Sequence, residues 1–197
     1  MYKDRVKILG LSIWFICAFF YALEYFIRSS GGALFEAYSI LPYNMSAEEI
    51  SISSSAFYLA YVVAQLPAGM LVDKYGIKRI MVASTLIFSL AIFIASIATT
   101  SKGIILYRVL AGLGSGFAFL CAIKSVSLWL PGRLFPLFTG LTQLFLYLGA
   151  TLSAALLVIF AKYFSVSVIM SGVFLISLVI FCLAYLLSEY ILNLIKT

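Results

Sequence analysis

The sequence predicts an all-α membrane protein in which six transmembrane helices form one domain over residues 1–197. Three observations predict it. Of 197 residues, 64% are hydrophobic and only 10% charged, and the mean hydropathy is +1.16; no water-soluble domain hides that much apolar surface, so the solvent is lipid. The apolar sequence falls into six runs, each near the ~20 residues a helix needs to cross a bilayer. The turns between them are short and polar, and the basic ones alternate with the rest.

The first apolar run is the longest. After a short basic segment with Lys3, Arg5 and Lys7, it extends from Leu9 to about Ile40, so one long or tilted helix is expected, with Gly31–Gly32 as its weak point. No small-x-small cleavage site follows, so an uncleaved span is expected rather than a signal peptide. Pro42–Asn44 makes the first turn. Asn44-Met45-Ser46 fits a glycosylation sequon, but one set too close to a helix start to carry weight. Ser46-Ala47-Glu48-Glu49 then reads as a capping box, in which Ser46 and Glu49 each satisfy the other's backbone amide, with Met45 and Ile50 as the hydrophobic staple. The second helix is expected from Ala47 to about Val72, the third from Ile80 to Ala98 and the fourth from Ile104 to Leu128. Trp129 anchors the end of the fourth at the interface. Pro131 and Gly132 break the chain, the fifth helix follows over about Phe135–Phe160, and the sixth covers about Val166–Leu187. Residues 1–7 and 188–197 are read as short cytoplasmic tails.

The net charge of +6 is a topology signal and not a nucleic-acid footprint. With the N-terminus inside, Lys3, Arg5, Lys7, Lys74, Lys78, Arg79, Arg133 and Lys196 face the cytoplasm, while Lys102 and Lys162 face out. That asymmetry predicts a multi-pass protein of the cell (inner) membrane with both termini cytoplasmic. There is no histidine. Cys17, Cys121 and Cys182 lie singly inside apolar runs, so neither a metal site nor a His-based catalytic centre is expected. No cofactor is expected, and nothing in the sequence reads as an enzyme.

The turn at Gly69–Arg79 reads Gly-Met-Leu-Val-Asp-Lys-Tyr-Gly-Ile-Lys-Arg. Asp73, Lys74, Lys78 and Arg79 cannot cheaply enter hydrocarbon, which places the turn at a membrane surface. Gly76 suits the backbone reversal between two helices, and Gly69 leaves room for another helix to approach. The block Gly-x-Leu-x-Asp-Lys-x-Gly-x-Lys-Arg resembles the loop between the second and third helices of the major facilitator superfamily of transporters, with Ile77 where a basic residue is common. Arg108–Gly116, Arg-Val-Leu-Ala-Gly-Leu-Gly-Ser-Gly, resembles that superfamily's fourth helix. The resemblance covers nearly the entire chain but only the N-terminal six-helix half of the usual architecture, a three-plus-three inverted repeat. Leu41-Pro42 and Leu130-Pro131, after the first and fourth spans, echo such a repeat faintly.

Ionisable groups inside spans are costly and point to function. Glu24 and Arg28 stand four apart with the acid first, the favourable order for a helical ion pair; they are either a self-neutralising pair or part of a site that includes Tyr21 and Tyr25. Arg108 either faces the interior beside an acid, for which Glu24 is the candidate, or snorkels to the outer surface. Lys124 either reaches the cytoplasmic surface or adds a third cation to a cavity. Gln65 and Gln143 are neutral and cheaper to bury, available to a solute or to another helix. Gly112 and Gly116 form a Gly-x-x-x-Gly packing face, and Gly149 begins a small-residue face on the fifth helix.

The resemblance implies a secondary active transporter. Arg28, Arg108, Glu24, Lys124, Tyr25 and Gln143 would serve a small anionic organic solute, with proton symport assigned to Glu24. Gly69, Asp73, Lys74, Gly76, Lys78 and Arg79 would form a conformational latch against a second six-helix half, supplied by another copy or a separate chain. The expected partners are thus the lipid bilayer, a small solute and that second half, with no nucleic acid. The alternative is a truncated transporter fragment, a folded membrane domain with no transport activity.

Overall fold

The computed structural model describes the backbone of residues 2–196 and the side chains of residues 9–187. Six helices are long and apolar enough to cross a membrane, over Leu9–Ala33, Ala47–Tyr75, Ile77–Ile97, Ser101–Trp129, Gly132–Phe160 and Val166–Leu187; they are called the first to sixth helices below.

The local signals act where the sequence places them. Ser46 Oγ accepts from the Glu49 amide at 3.2 Å, and the Glu49 carboxylate accepts from the Ser46 amide at 3.0 Å. Met45 and Ile50 are both buried in the same cluster beside this cap. Gly76 has φ +81° and alone forms the joint between the second and third helices. That joint is tighter than expected: a residue free to take positive φ makes the reversal by itself, so helix continues to Tyr75 and resumes at Ile77. The fourth helix starts three residues earlier than expected because Thr100 caps it, accepting from the Gly103 amide at 3.3 Å.

Other expectations need correction. The long first run is two helices, Tyr2–Ala33 and Phe35–Ser39, interrupted at Leu34, whose ψ of 14° lies outside helix geometry. The fourth helix is interrupted around Gly116–Phe117, and the fifth contains a wide π turn over Ser153–Leu157. The segment read as a C-terminal tail continues the sixth helix in its backbone to Lys196. The side chains of Lys3, Arg5, Lys7 and Lys196 lie outside the described residues.

The six helices interleave and do not form two bundles of three. The first packs on the fourth, fifth and sixth, the fourth lies against the second and third, and the third packs on the sixth. Exchanging first for fourth, second for fifth and third for sixth maps this set of neighbours onto itself, the relation an inverted repeat requires. Small residues permit the close approaches. A Cβ at Gly112 would strike the Phe57 carbonyl oxygen of the second helix, one at Gly116 the Ala64 methyl, and one at Gly149 the Ala22 backbone of the first helix. Gly114 faces the third helix, where Ser84 Oγ donates to its carbonyl oxygen at 2.5 Å. Gly69, expected to admit a neighbour, has nothing within 4 Å of a Cβ built on it.

Candidate functional site

The first helix carries Glu24 and Arg28 one turn apart, and the interleaved packing sets the second and fourth helices on either side of them. Glu24 is fully buried and Arg28 is 12% exposed, with Arg28 Nη1 3.7 Å from Glu24 Oε1. That is ion-pair range but longer than a hydrogen bond. Neither Glu24 oxygen nor Arg28 Nε has a hydrogen-bond partner. Four rings enclose the Arg28 guanidinium, its Cζ lying 4.1 Å from the Tyr61 ring centre, 4.7 Å from Tyr25, 5.0 Å from Tyr58 and 5.8 Å from Phe57. Ring faces carry negative potential and stabilise a cation, the more so away from water. Tyr61 in turn accepts from Gln65 Nε2 at 2.6 Å.

Arg108 is fully buried. Its Nη1 donates to the Ile27 carbonyl oxygen at 2.9 Å and its Nη2 to Ser30 Oγ at 3.1 Å. Ser30 Oγ itself donates to Ile27 O at 2.7 Å, which closes a small ring of bonds on the first helix. Arg108 thus faces the interior, as one reading expected, but not beside an acid: its terminal nitrogens are taken by Ile27 and Ser30, farther along the first helix than Glu24, and it does not snorkel outward. Gly31 makes the arrangement possible: a Cβ there would lie 2.9 Å from Arg108 Nη2 and 2.6 Å from Ser54 Oγ. The glycine pair read as a weak point therefore includes a residue that makes room for a buried arginine. Beyond Arg108, the hydroxyls of Tyr107 and Tyr38 lie 3.3 Å apart.

Two guanidinium groups thus meet one turn of the first helix, and only that of Arg28 lies within ion-pair range of a carboxylate. The remaining candidates stand elsewhere. Lys124 is not with Arg28 and Arg108: it lies 16 residues after Arg108, about 24 Å along a helix, and forms an ion pair with Asp73. Both partners are at least partly exposed, Asp73 at 65% and Lys124 at 31%. Lys74 lies over the Tyr75 ring at 5.3 Å, and Arg79 is exposed. Gln143 is half-buried on the fifth helix, next to Thr142, which accepts from Trp14 Nε1 at 3.0 Å.

Phe57, Tyr58, Tyr61, Ser30 and Gly31 also belong to this site and were not legible as such in the sequence. Phe57, Tyr58 and Tyr61 do fall at helical spacing, but spacing alone does not say that their face turns toward Arg28.

Six apolar helices around a buried charge cluster define a multi-pass membrane protein. The sequence model of the Major Facilitator Superfamily matches residues 13–194, and this chain belongs to that superfamily. It is 29% identical over 167 residues to the uncharacterized transporter YybO of Bacillus subtilis (strain 168), covering 81% of this chain and 38% of that protein. It is 26% identical over 109 residues to the probable sulfoacetate transporter SauU of Cupriavidus necator, covering 55% and 25%. It is 33% identical over 91 residues to the probable anion transporter 2, chloroplastic, of Oryza sativa subsp. japonica, covering 45% and 17%. The chain matches well under half the length of each of these relatives.

Proposed function

We propose that this chain is one six-helix half of a secondary active transporter for a small anionic organic solute, working with a second six-helix bundle. The observation that carries the reading is the charge imbalance inside the bundle, where two arginines, Arg28 and Arg108, are accompanied by one carboxylate, Glu24, which lies beside Arg28 alone. Unpaired charge in hydrocarbon is costly, so an anion that reaches Arg28 is favoured by the cation it finds there. Arg28 is the accessible member, and Tyr25, Tyr58 and Tyr61 border its approach. Arg108 is already committed to Ile27 and Ser30, and its part is to hold the first helix in place. Glu24 has two oxygens without hydrogen-bond partners and is assigned proton coupling. Two relatives, the probable sulfoacetate transporter and the probable anion transporter, support an anionic solute.

The second bundle is inferred from the superfamily's architecture. Alternating access needs two walls, and the Asp73 turn is assigned the latch between them. The excess of basic residues at the end bearing Lys74, Arg79 and Arg133 assigns that end to the cytoplasm of a cell membrane.

The test is uptake into proteoliposomes of labelled sulfonates, carboxylates and phosphate under an imposed pH gradient. The purified chain is assayed alone and with a second six-helix bundle from a related transporter. Gradient-driven uptake that Arg28→Gln abolishes is expected. Absence of uptake in both preparations, with the bundle folded, overturns the proposal in favour of a membrane domain without transport activity.

A further inference from the structure

An apolar groove of about 560 Å3 runs between the first, fifth and sixth helices, apart from the charge cluster. All its lining residues are apolar or glycine, among them Phe19 and Phe26 of the first helix, Phe145 and Leu152 of the fifth, and Gly172 of the sixth. A second hollow of about 480 Å3 lies farther along the same first and fifth helices, with Ala33, Glu36 and Lys162 in its walls. The two come within one turn of each other on the fifth helix, where Phe160 lines the groove and Val158 and Ala161 the hollow. Phe19, Phe26 and Ala33 recur at seven-residue spacing and so share one face of the first helix.

Three observations identify an occupant. Gly172 lies inside the sixth helix, where glycine is unfavourable. Unlike Gly112 it is not crowded, since a Cβ there meets nothing within 4 Å; its missing side chain leaves space that none of the described residues fills. The hollow carries opposite charges, Glu36 and Lys162, both exposed, and among the described residues neither has an ion-pair partner. The charges also lie just past the ends of the first and fifth spans, at Ala33 and Phe160, where headgroups lie. From Phe145 to Phe160 the groove extends about 22 Å along the fifth helix, more than the ~15 Å of one leaflet's half of the hydrocarbon core. An acyl chain, one carbon wide, can lie along a groove of this length. A headgroup with a phosphate and a hydrogen-bonding ammonium matches Lys162 and Glu36 together.

We propose that this groove is a lipid-binding site that takes an acyl chain of one ethanolamine phospholipid, with its phosphate on Lys162 and its ammonium on Glu36. The site is independent of the transport reading, since none of its residues belongs to the charge cluster.

The test is titration of the full chain, purified in detergent and stripped of lipid, with phosphatidylethanolamine, phosphatidylglycerol or phosphatidylcholine, counting bound lipid by native mass spectrometry. One phosphatidylethanolamine per chain is expected, bound more tightly than either rival. Gly172→Phe, whose Cβ has nothing within 4 Å, should remove it while leaving the lipid-free melting temperature unchanged; Gly172→Leu is the smaller filler if the Phe variant does not fold. Lys162→Gln should weaken phosphatidylethanolamine and phosphatidylglycerol alike by about fivefold, the scale of one lysine at an anionic lipid surface. Glu36→Gln should weaken phosphatidylethanolamine alone and erase its preference. Wild-type lipid retention in a folded Gly172 variant overturns the site. Equal binding of all three lipids overturns the headgroup assignment. Loss of chain-to-chain crosslinking in the Gly172 variant, with lipid binding unchanged, makes the groove a protein contact instead.

Discussion

Arg108 of the fourth helix donates to the main-chain oxygen of Ile27, the residue before Arg28, at 2.9 Å. Two arginines from different helices therefore meet at one turn of the first helix and turn to different partners. Arg28 is held by a carboxylate and four rings, Arg108 by a carbonyl and a hydroxyl. One is placed to meet a solute and the other to anchor a helix, and their variants should behave differently.

Arg108→Ala removes both bonds to the first helix and leaves a cavity, and should destabilise the bundle by about 2–4 kcal/mol. Arg108→Lys keeps the charge but loses the planar fork, and should recover only part of that loss. Unfolding in mixed detergent micelles measures both. Wild-type stability in Arg108→Ala would mean that the Ile27 and Ser30 contacts contribute nothing.

Glu24→Gln and Arg28→Gln each leave one buried charge without its partner, a change that costs about 3–5 kcal/mol where the pair is well buried. The double variant leaves neither charge and should be more stable than the sum of the single effects implies. A double-mutant cycle on unfolding free energy reads the difference. Strict additivity would contradict an interaction across the 3.7 Å separation.

Gly112→Leu drives a side chain into the Phe57 carbonyl and should lower folded yield, with a loss of about 1–3 kcal/mol in the protein that does fold. Gly69→Leu meets open space and should leave the yield of the isolated chain unchanged. Equal damage at both positions would contradict the packing described for the second and fourth helices.

The Asp73–Lys124 pair is partly exposed, so its coupling should be no more than about 1 kcal/mol. Asp73→Asn should therefore barely change the stability of the bundle. Should the same variant abolish uptake, Asp73 acts on the second half and not within its own. A stability loss above about 2 kcal/mol would instead make the pair a structural element of this bundle.

Much of the fold is legible in the sequence because the signals are local or cumulative. Six apolar runs follow from the cost of exposing polar backbone and charge to lipid. The Ser46–Glu49 box is set by a spacing of three residues. Gly76 is a helix joint because it tolerates positive φ. The break at Leu34 falls just past the Gly31–Gly32 weak point, whereas the break at Gly116–Phe117 and the π turn at Ser153 were not legible, since the small residues there read equally well as helix-packing positions.

Composition and order of residues by themselves determined the solvent, the number of spans, the ends that bear positive charge and which ionisable side chains lie within the apolar runs. Tertiary structure alone decided their partners. Glu24 and Arg28 pair across one helical turn, which spacing predicts. Whether Arg108 meets Glu24, or Ile27 and Ser30 a turn beyond, depends on the level at which two helices cross. That level follows from side-chain contacts along their whole length, Gly31 among them. Likewise, Lys124 meets Asp73 because packing brings the end of the fourth helix beside the Gly76 joint. Contacts between residues distant in sequence are decided by how all six helices fill space together, and no single stretch of sequence carries that information.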